Sequence, residues 1–301
     1  MTRVPELRFD GFEGEWEEKK LKDFVKSLGG TSLESEFDKE GSYKVVSIGS
    51  YNEDSTYNDQ GLRINLNEKT RSKLLNKNDL VMVLNDKTSQ ANILGRALLI
   101  DEDDRYIFNQ RSQKITPSLS FNSMFVYYLL NNDKNRKKII KIAQGNTQIY
   151  VNWSAVENIL YSTPLKAEQE KIGDLFSKID QLIENQQELV DQTMDFKKSM
   201  LQKMFPKKDS LVPKFRFDGF SKNWCEIRLG NTYKVTMGQS PNSKNYTNDS
   251  QHMVLVQGNA DLKHGKVYPR IYTTEITKIA KANSILMTVR APVGELAINK
   301  C

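Results

Sequence analysis

The sequence predicts an α+β protein: two copies of one mixed α/β domain joined by a long coiled-coil-forming helix, with the second copy incomplete. Three observations predict this. A segment near the start returns 208 residues later, Val4 recurring as Val212. A stretch without proline, Ala167 to Phe205, carries apolar residues at coiled-coil spacing. Short apolar runs broken by Gly, Asn and Asp fill the residues before it.

The repeat is close. Val4-Pro5-Glu6-Leu7-Arg8-Phe9-Asp10-Gly11-Phe12 reappears as Val212-Pro213-Lys214-Phe215-Arg216-Phe217-Asp218-Gly219-Phe220. Between Val4–Lys22 and Val212–Gly230 ten of nineteen positions are identical, where composition alone gives roughly one or two. A period this long means duplicated domains, because solenoid repeats run ~20–50 residues. Met237-Gly238-Gln239-Ser240 echoes Gly29-Gly30-Thr31-Ser32, Val254–Gly258 echoes Val45–Gly49, and Ser284–Met287 echoes Asp79–Met82. The expected division is residues 1–161 for the first domain, 162–207 for the helix and 208–301 for the second domain. Cys301 falls near the equivalent of Asp101–Asp103. By the repeat, the second copy is expected to lack about a hundred residues and a second long helix.

In the first domain, strand-like runs lie at Tyr43–Ile48, Leu80–Leu84, Ala97–Ile100 and Gln113–Thr116. One helix is expected over Ser123–Ala143, with Met124, Val126, Tyr127, Leu130, Ile139, Ile140 and Ala143 on an apolar side. Lys134, Arg136, Lys137, Lys138 and Lys141 form its basic side. In the long helix, Thr163 is the expected cap, Pro164 opens the first turn and Pro206 ends it. Thirty-nine residues make a rod of about 58 Å. Ile172, Leu175, Ile179, Leu182, Leu189, Phe196 and Met200 form the partner seam, which Gln186 and Thr193 interrupt. Burying each Leu or Ile is worth roughly 1.5–3 kcal/mol, so the seam requires an apolar partner. Glu168-Gln169-Glu170-Lys171 are expected to be solvated flanks of the helix start.

Bulk properties exclude several classes. The 301 residues have room for two domains. No run of ~18 apolar residues and no apolar signal core is present, so neither a membrane span nor export is expected. Cys225 and Cys301 are the only cysteines, which excludes a disulfide framework and fits the cytoplasm. A net charge of +6 permits a polyanionic partner. His252 and His264 are the only histidines, and no cysteine spacing suits zinc. No phosphate loop, dinucleotide fingerprint or amino-methyltransferase motif occurs. The chain is therefore read as non-catalytic, with no cofactor or metal of its own.

Binding chemistry remains. Asn and Gln match the edge of adenine, and Arg and Lys that of guanine. Such residues collect in loops: Lys87, Ser89, Gln90 and Arg96; Asn109, Gln110 and Arg111; Gln144, Asn146 and Gln148. The second copy offers Gln239, Gln257, Asn259 and Arg290.

Together these features resemble the specificity (S) subunit of type I restriction–modification enzymes, along the whole chain. The resemblance rests on the repeated Val-Pro-x-x-Arg-Phe-x-Gly-Phe-x-x-x-Trp opening and on the helix start Pro164-Leu165-x-x-Glu168-Gln169-x-x-Ile172. It also rests on Val289-Arg290-Ala291-Pro292-Val293-Gly294-Glu295-Leu296-Ala297. It implies two target-recognition domains, each reading half of a split site in double-stranded DNA, with paired long helices setting their distance. It implies modification (methyltransferase) subunits that bring S-adenosylmethionine, and restriction (translocase/endonuclease) subunits that bring ATP and Mg2+. Self-association through the long helix is open to a chain with one such helix. The competing readings are a coiled-coil adaptor that binds proteins without DNA, a non-functional fragment of an S subunit and, weakest because no motif supports it, a stand-alone methyltransferase or nuclease.

Overall fold

The computed structural model describes residues 4–300. Two compact units divide the chain, Met1–Ser199 and Met200–Cys301. The long helix falls mostly in the first.

Among its described residues the first unit contains twelve strands: β1 (Glu17–Lys20), β2 (Val25–Gly29), β3 (Tyr43–Val46), β4 (Arg63–Ile64), β5 (Leu74–Leu75), β6 (Leu80–Val83), β7 (Asn85–Asp86), β8 (Ala97–Leu99), β9 (Tyr106–Phe108), β10 (Ser112–Pro117), β11 (Ile149–Tyr150) and β12 (Leu160–Thr163). Its helices are α1 (Glu68–Arg71), α2 (Ser123–Asn131), α3 (Asp133–Lys141), α4 (Trp153–Val156) and α5 (Lys166–Met204). One four-stranded sheet runs β2-β10-β6-β8 and another β4-β3-β9-β5. The pairs β1–β12 and β7–β11 are separate two-stranded ribbons. All four expected strand runs are strands, each within two residues of the expected ends.

Three layers follow from the alternation of side chains along a strand. Leu80 and Met82 of β6 join Ile115, Phe125, Val126, Leu130 and Ile139 in a core beneath α2 and α3. Val81 and Val83 point the other way and pack with Leu98, Val46, Tyr106 and Phe108 against the second sheet. Because β6 is buried on both faces it reads as an unbroken apolar run, Leu-Val-Met-Val, rather than an alternating one.

The helix expected over Ser123–Ala143 is two. Asn132 ends α2 and caps α3, its side chain accepting from Lys134 N at 3.0 Å. Arg136 does not belong to a solvated basic face. It is 6% exposed, and its Nη2 donates to the carbonyl oxygens of Ala91 (3.2 Å), Asn92 (3.0 Å) and Leu94 (3.3 Å). Burial lowers its pKa.

The start of α5 also departs from expectation. Thr163 ends β12, and its hydroxyl donates to Glu17 O at 3.2 Å instead of capping the helix. Glu168 and Gln169 are each 1% exposed, not solvated flanks. Arg8 Nε and Nη2 donate to the two Glu168 carboxylate oxygens, both at 2.8 Å, and Trp16 Nε1 lies 3.4 Å from Oε1. Gln169 accepts from Asn122 N at 3.1 Å and donates to Pro164 O at 2.9 Å. Gly173 permits this close approach, since a Cβ there would lie 2.9 Å from Asn122 Oδ1 and 3.2 Å from Phe125 N.

Among its described residues the second unit holds α6 (Leu229–Thr232) and seven strands: β13 (Tyr246–Thr247), β14 (Met253–Val254), β15 (Leu262–Lys263), β16 (Lys266–Val267), β17 (Tyr272–Thr273), β18 (Ile285–Met287) and β19 (Leu296–Ile298). They form sheets of order β13-β17-β14 and β15-β16-β19-β18. The antiparallel pair β18–β19 matches β6–β8 in place and sense. Leu255 and Ala297 are the buried hydrophobic residues among its described positions.

Candidate nucleic-acid interface

Three polar loops of the first unit meet at the end of β6. Leu84 N donates to Arg111 O at 2.9 Å, and Val151 N donates to Leu84 O at 2.9 Å. The next residues, Asn85 and Asp86, pair as β7 with Tyr150 and Ile149 of β11. The β6 end is thus tied to the β9–β10 turn carrying Asn109–Arg111 on one side. On the other it is tied to the Gln144–Gln148 turn.

Each loop is held from beneath. Asp86 is 5% exposed; its Oδ1 accepts from Thr88 N (2.9 Å) and Thr88 Oγ1 (3.0 Å), and its Oδ2 from Ile93 N (2.9 Å). Arg136 grips the far end of the same loop through the three carbonyls already named. Lys87, Ser89 and Gln90 stand exposed between these two clamps. The 144–148 turn closes through the paired backbone bonds of Gln144 and Tyr150, each 2.9 Å. Gly145 has φ 96°, and a Cβ there would lie 2.2 Å from Gln148 O, so only glycine fits. Gln144, Asn146 and Gln148 are exposed on it.

In the third loop Arg111 is exposed with φ 65°, a left-handed conformation that a non-glycine residue holds only when its surroundings impose it. Gln110 is half-buried and donates to Glu34 Oε1 at 2.7 Å. Hydrogen bonds from the Ser32 hydroxyl first, and then from the Asn109 and Gln110 amides, lower the Glu34 pKa to about 2. A fixed carboxylate therefore stands beside these amides.

Two of the expected contact residues are placed elsewhere. Asn109 is 4% exposed; it accepts from Leu33 N at 3.0 Å and donates to Glu34 at 2.9 Å, leaving no free edge for a base. Arg96 is half-buried, with Nη1 donating to Ser55 Oγ at 3.3 Å and Nε buried without a partner. Asp86 and Arg136 are the positioning residues that sequence reasoning missed. Asp86 carried a signal in Asp-Lys-Thr, because Asp two residues before Thr favours such a turn.

The corresponding side chains of the second unit are exposed on separate loops. Gln257 donates to the Tyr246 hydroxyl at 2.7 Å, while its backbone N and that of Gly258 donate to Asp261 Oδ2 at 2.8 and 3.1 Å. Asn259 follows on the next turn. Arg290 lies in a turn that Thr288 closes by donating to Pro292 O at 2.7 Å. Gln239 accepts at its carbonyl from the Thr277 hydroxyl.

Along α5, Ile172 packs against the first core, so it serves its own unit rather than a partner. The Tyr128 hydroxyl donates to Asp180 at 2.6 Å, and the Tyr128 and Phe176 rings lie 5.2 Å apart. Beyond this point the seam is open: Leu182 is 67%, Leu189 55% and Phe196 64% exposed, with Leu175 and Ile179 less so, and Met200 half-buried. Among the described residues no group of three His, Cys, Asp or Glu could hold a metal ion, and no helix is long and apolar enough to cross a membrane.

Known proteins share both sequence and fold with this chain. The putative type I restriction enzyme MjaX specificity subunit of Methanocaldococcus jannaschii is 29% identical over 182 residues, 58% of this chain and 42% of the relative. The crystal structure of the type I restriction-modification system S subunit from M. genitalium aligns over 99% of this chain and 71% of its own, with TM-score 0.56 and 14% identity. A structure bearing on complex assembly and conformational transition of the type I R-M system aligns over 98% of this chain and 73% of its own, with TM-score 0.52 and 19% identity. Residues 13–192 match the family described as the type I restriction modification DNA specificity domain, and the chain belongs to that family.

Proposed function

We propose that this chain is a DNA-specificity component of a type I restriction–modification system, and that its first unit reads one half of a split duplex sequence. The observation that carries the reading is the convergence of three polar loops at the end of β6, with Asp86, Arg136 and Gly145 holding two of them. Fixed loops on a rigid frame suit base recognition, which demands placement within a fraction of an ångström. Gln90, Asn146 and Gln148 supply amides for adenine edges. Arg111 and Lys87 suit guanine or phosphate.

The chain itself catalyses nothing in this reading. Methylation with S-adenosylmethionine and ATP-driven cleavage with Mg2+ belong to the modification and restriction subunits, which dock on the assembly. The open α5 seam pairs with another long helix, supplied by a second copy or by the rest of the assembly. The cytoplasm, where DNA and these subunits meet, is the place of action.

Selection from random duplexes tests the proposal. One short motif should be enriched through the first unit. Affinity should fall steeply with salt, by a slope of roughly 0.9 per phosphate contacted. An affinity that ignores both sequence and salt favours the protein-binding adaptor and defeats the DNA reading.

A further inference from the structure

We propose that Glu34 is a positioning residue that makes the first unit choose adenine over guanine at one base pair, by holding the Gln110 amide with its oxygen outward. Such a role rests on the reading of this unit as a DNA reader.

Glu34 is carried on a fixed point. Leu33, its neighbour, is 0% exposed and packs with Val45, Ile64 and Ile107. Gly30 N donates to Ser112 O at 2.9 Å, which ties the start of the same loop to β10. A Cβ on Gly30 would lie 2.7 Å from the Asn109 carbonyl carbon, so this loop runs directly against the turn that carries Gln110.

Donor and acceptor chemistry decides which way each amide faces. The Leu33 N–H can only donate, and it meets Asn109 Oδ1 at 3.0 Å. Asn109 Nδ2 is therefore left for Glu34 Oε1, at 2.9 Å. Gln110 Nε2 donates to the same oxygen at 2.7 Å, and the Ser32 hydroxyl donates to Oε2 at 2.5 Å. Hydrogen bonds from Ser32 first, and then from the two amides, lower the Glu34 pKa to about 2, so it is ionised at neutral pH. A carboxylate offers acceptors only, and a reversed Gln110 amide would set oxygen against oxygen. Gln110 Oε1 is thus turned away from Glu34, and Nε2 keeps a second proton beside it.

An acceptor next to a donor complements adenine, whose N6 amino group donates and whose N7 accepts. Guanine presents O6 and N7, two acceptors, and would meet the outward oxygen with its own. A glutamine free to turn over could serve either purine. Gln110 is not free, and the residue that restrains it need touch no base.

Competition binding by anisotropy tests this, on duplexes carrying the motif that the full wild-type chain selects. The position to vary is the one whose preference Gln110→Met changes. There the wild-type chain should favour adenine over guanine by about tenfold or more. E34Q should bring that ratio to about twofold or less, because a glutamine offers a donor as well as an acceptor and lets Gln110 turn over. Affinity of E34Q for the adenine duplex should fall by less than about threefold. A merely structural role would weaken both duplexes alike and leave the ratio unchanged. In the free wild-type protein, where no variant has to fold, NMR should show NOEs from the Gln110 Hε2 protons to the Glu34 Hγ protons. Their absence defeats the lock. The assignment also falls, with DNA reading intact, if E34Q keeps the wild-type ratio or if no base preference depends on Gln110. A change in the choice of cytosine in E34Q overturns it as well, since Glu34 would then touch a base itself. No duplex binding by the wild-type chain would remove the DNA reading and this assignment together.

Discussion

The strands β6 and β18 occupy matching places in the repeat and lead opposite lives. Leu80, Val81, Met82 and Val83 are each 0% exposed, whereas Ile285 is 65% and Met287 53% exposed. Both strands pair antiparallel with a strand that follows, β8 or β19. The difference is the second neighbour. β10 flanks β6 on its other edge, and α2 and α3 cover one face. β18 ends its sheet, with no such neighbour among the described residues. The same apolar pattern is thus a core in one copy and an open surface in the other. Pattern dictates which face seeks burial; long-range partners decide whether it is buried.

The largest test of this contrast is a matched pair of truncations. Leu80→Ala should cost about 2–5 kcal/mol in denaturant unfolding, through lost burial and a cavity. Ile285→Ala at the equivalent position should stay within about 0.5 kcal/mol. Equal costs would mean that β18 is buried in solution, by self-association or otherwise.

Arg136→Met comes next. It removes three bonds from a charged donor and should cost about 2–4 kcal/mol. Amide exchange should rise over Ala91–Leu94 ahead of global unfolding, and DNA affinity should drop although Arg136 faces no solvent. Uniform exchange across the unit would show that the clamp is not local.

A smaller effect separates the two copies as readers. Arg111→Ala should cost about 1–3 kcal/mol of DNA binding and relax preference at one base pair. Arg290→Ala, on a unit with few buried residues, should change affinity by less than about 0.5 kcal/mol. The reverse order would locate recognition in the second unit.

The smallest effect is in pH. Glu34 has a pKa lowered from 4.5 to about 2 by hydrogen bonds from Ser32, Asn109 and Gln110. Its stabilising contribution is complete above 4.5 and disappears as pH falls from there towards 2. Side-chain amide resonances of Asn109 and Gln110, followed by NMR, should hold their positions at pH 5 and shift only below about 4. Shifts that begin near pH 6 would place another group in the cluster.

The strands were legible as short apolar runs between turn residues, and the long helix as an apolar spacing of about 3.5 residues. α5 covers 39 residues, the length that the stretch without proline implies. What escaped was polar burial. Glu168 and Arg8 lie 160 positions apart, and no periodicity links an acid on a helix to an arginine in an extended segment. Arg136 read as one member of a basic side because its neighbours are lysines; the carbonyls it serves come from a loop more than forty residues earlier. Asn132 is a single polar residue in a helical pattern, and whether it caps or merely interrupts depends on the turn it makes. Asn109 looks like a reader of bases by type, yet its amide is consumed beneath the loop it supports. Loop chemistry singled out residues by type, and packing chose which of them face outward.

The pairing of β1 with β12 sets Glu17 opposite Thr163 and Lys20 opposite Leu160. The polypeptide therefore enters and leaves the sheet-bearing body through one doorway. Everything between Leu21 and Ile159 hangs from that doorway as a cassette. Its two ends are stitched together beside the helix start, and Asn122, Phe125 and Tyr128 fasten the first turns of α5 to the same body. The doorway and the helix that leaves it therefore move as one piece with the body they hold.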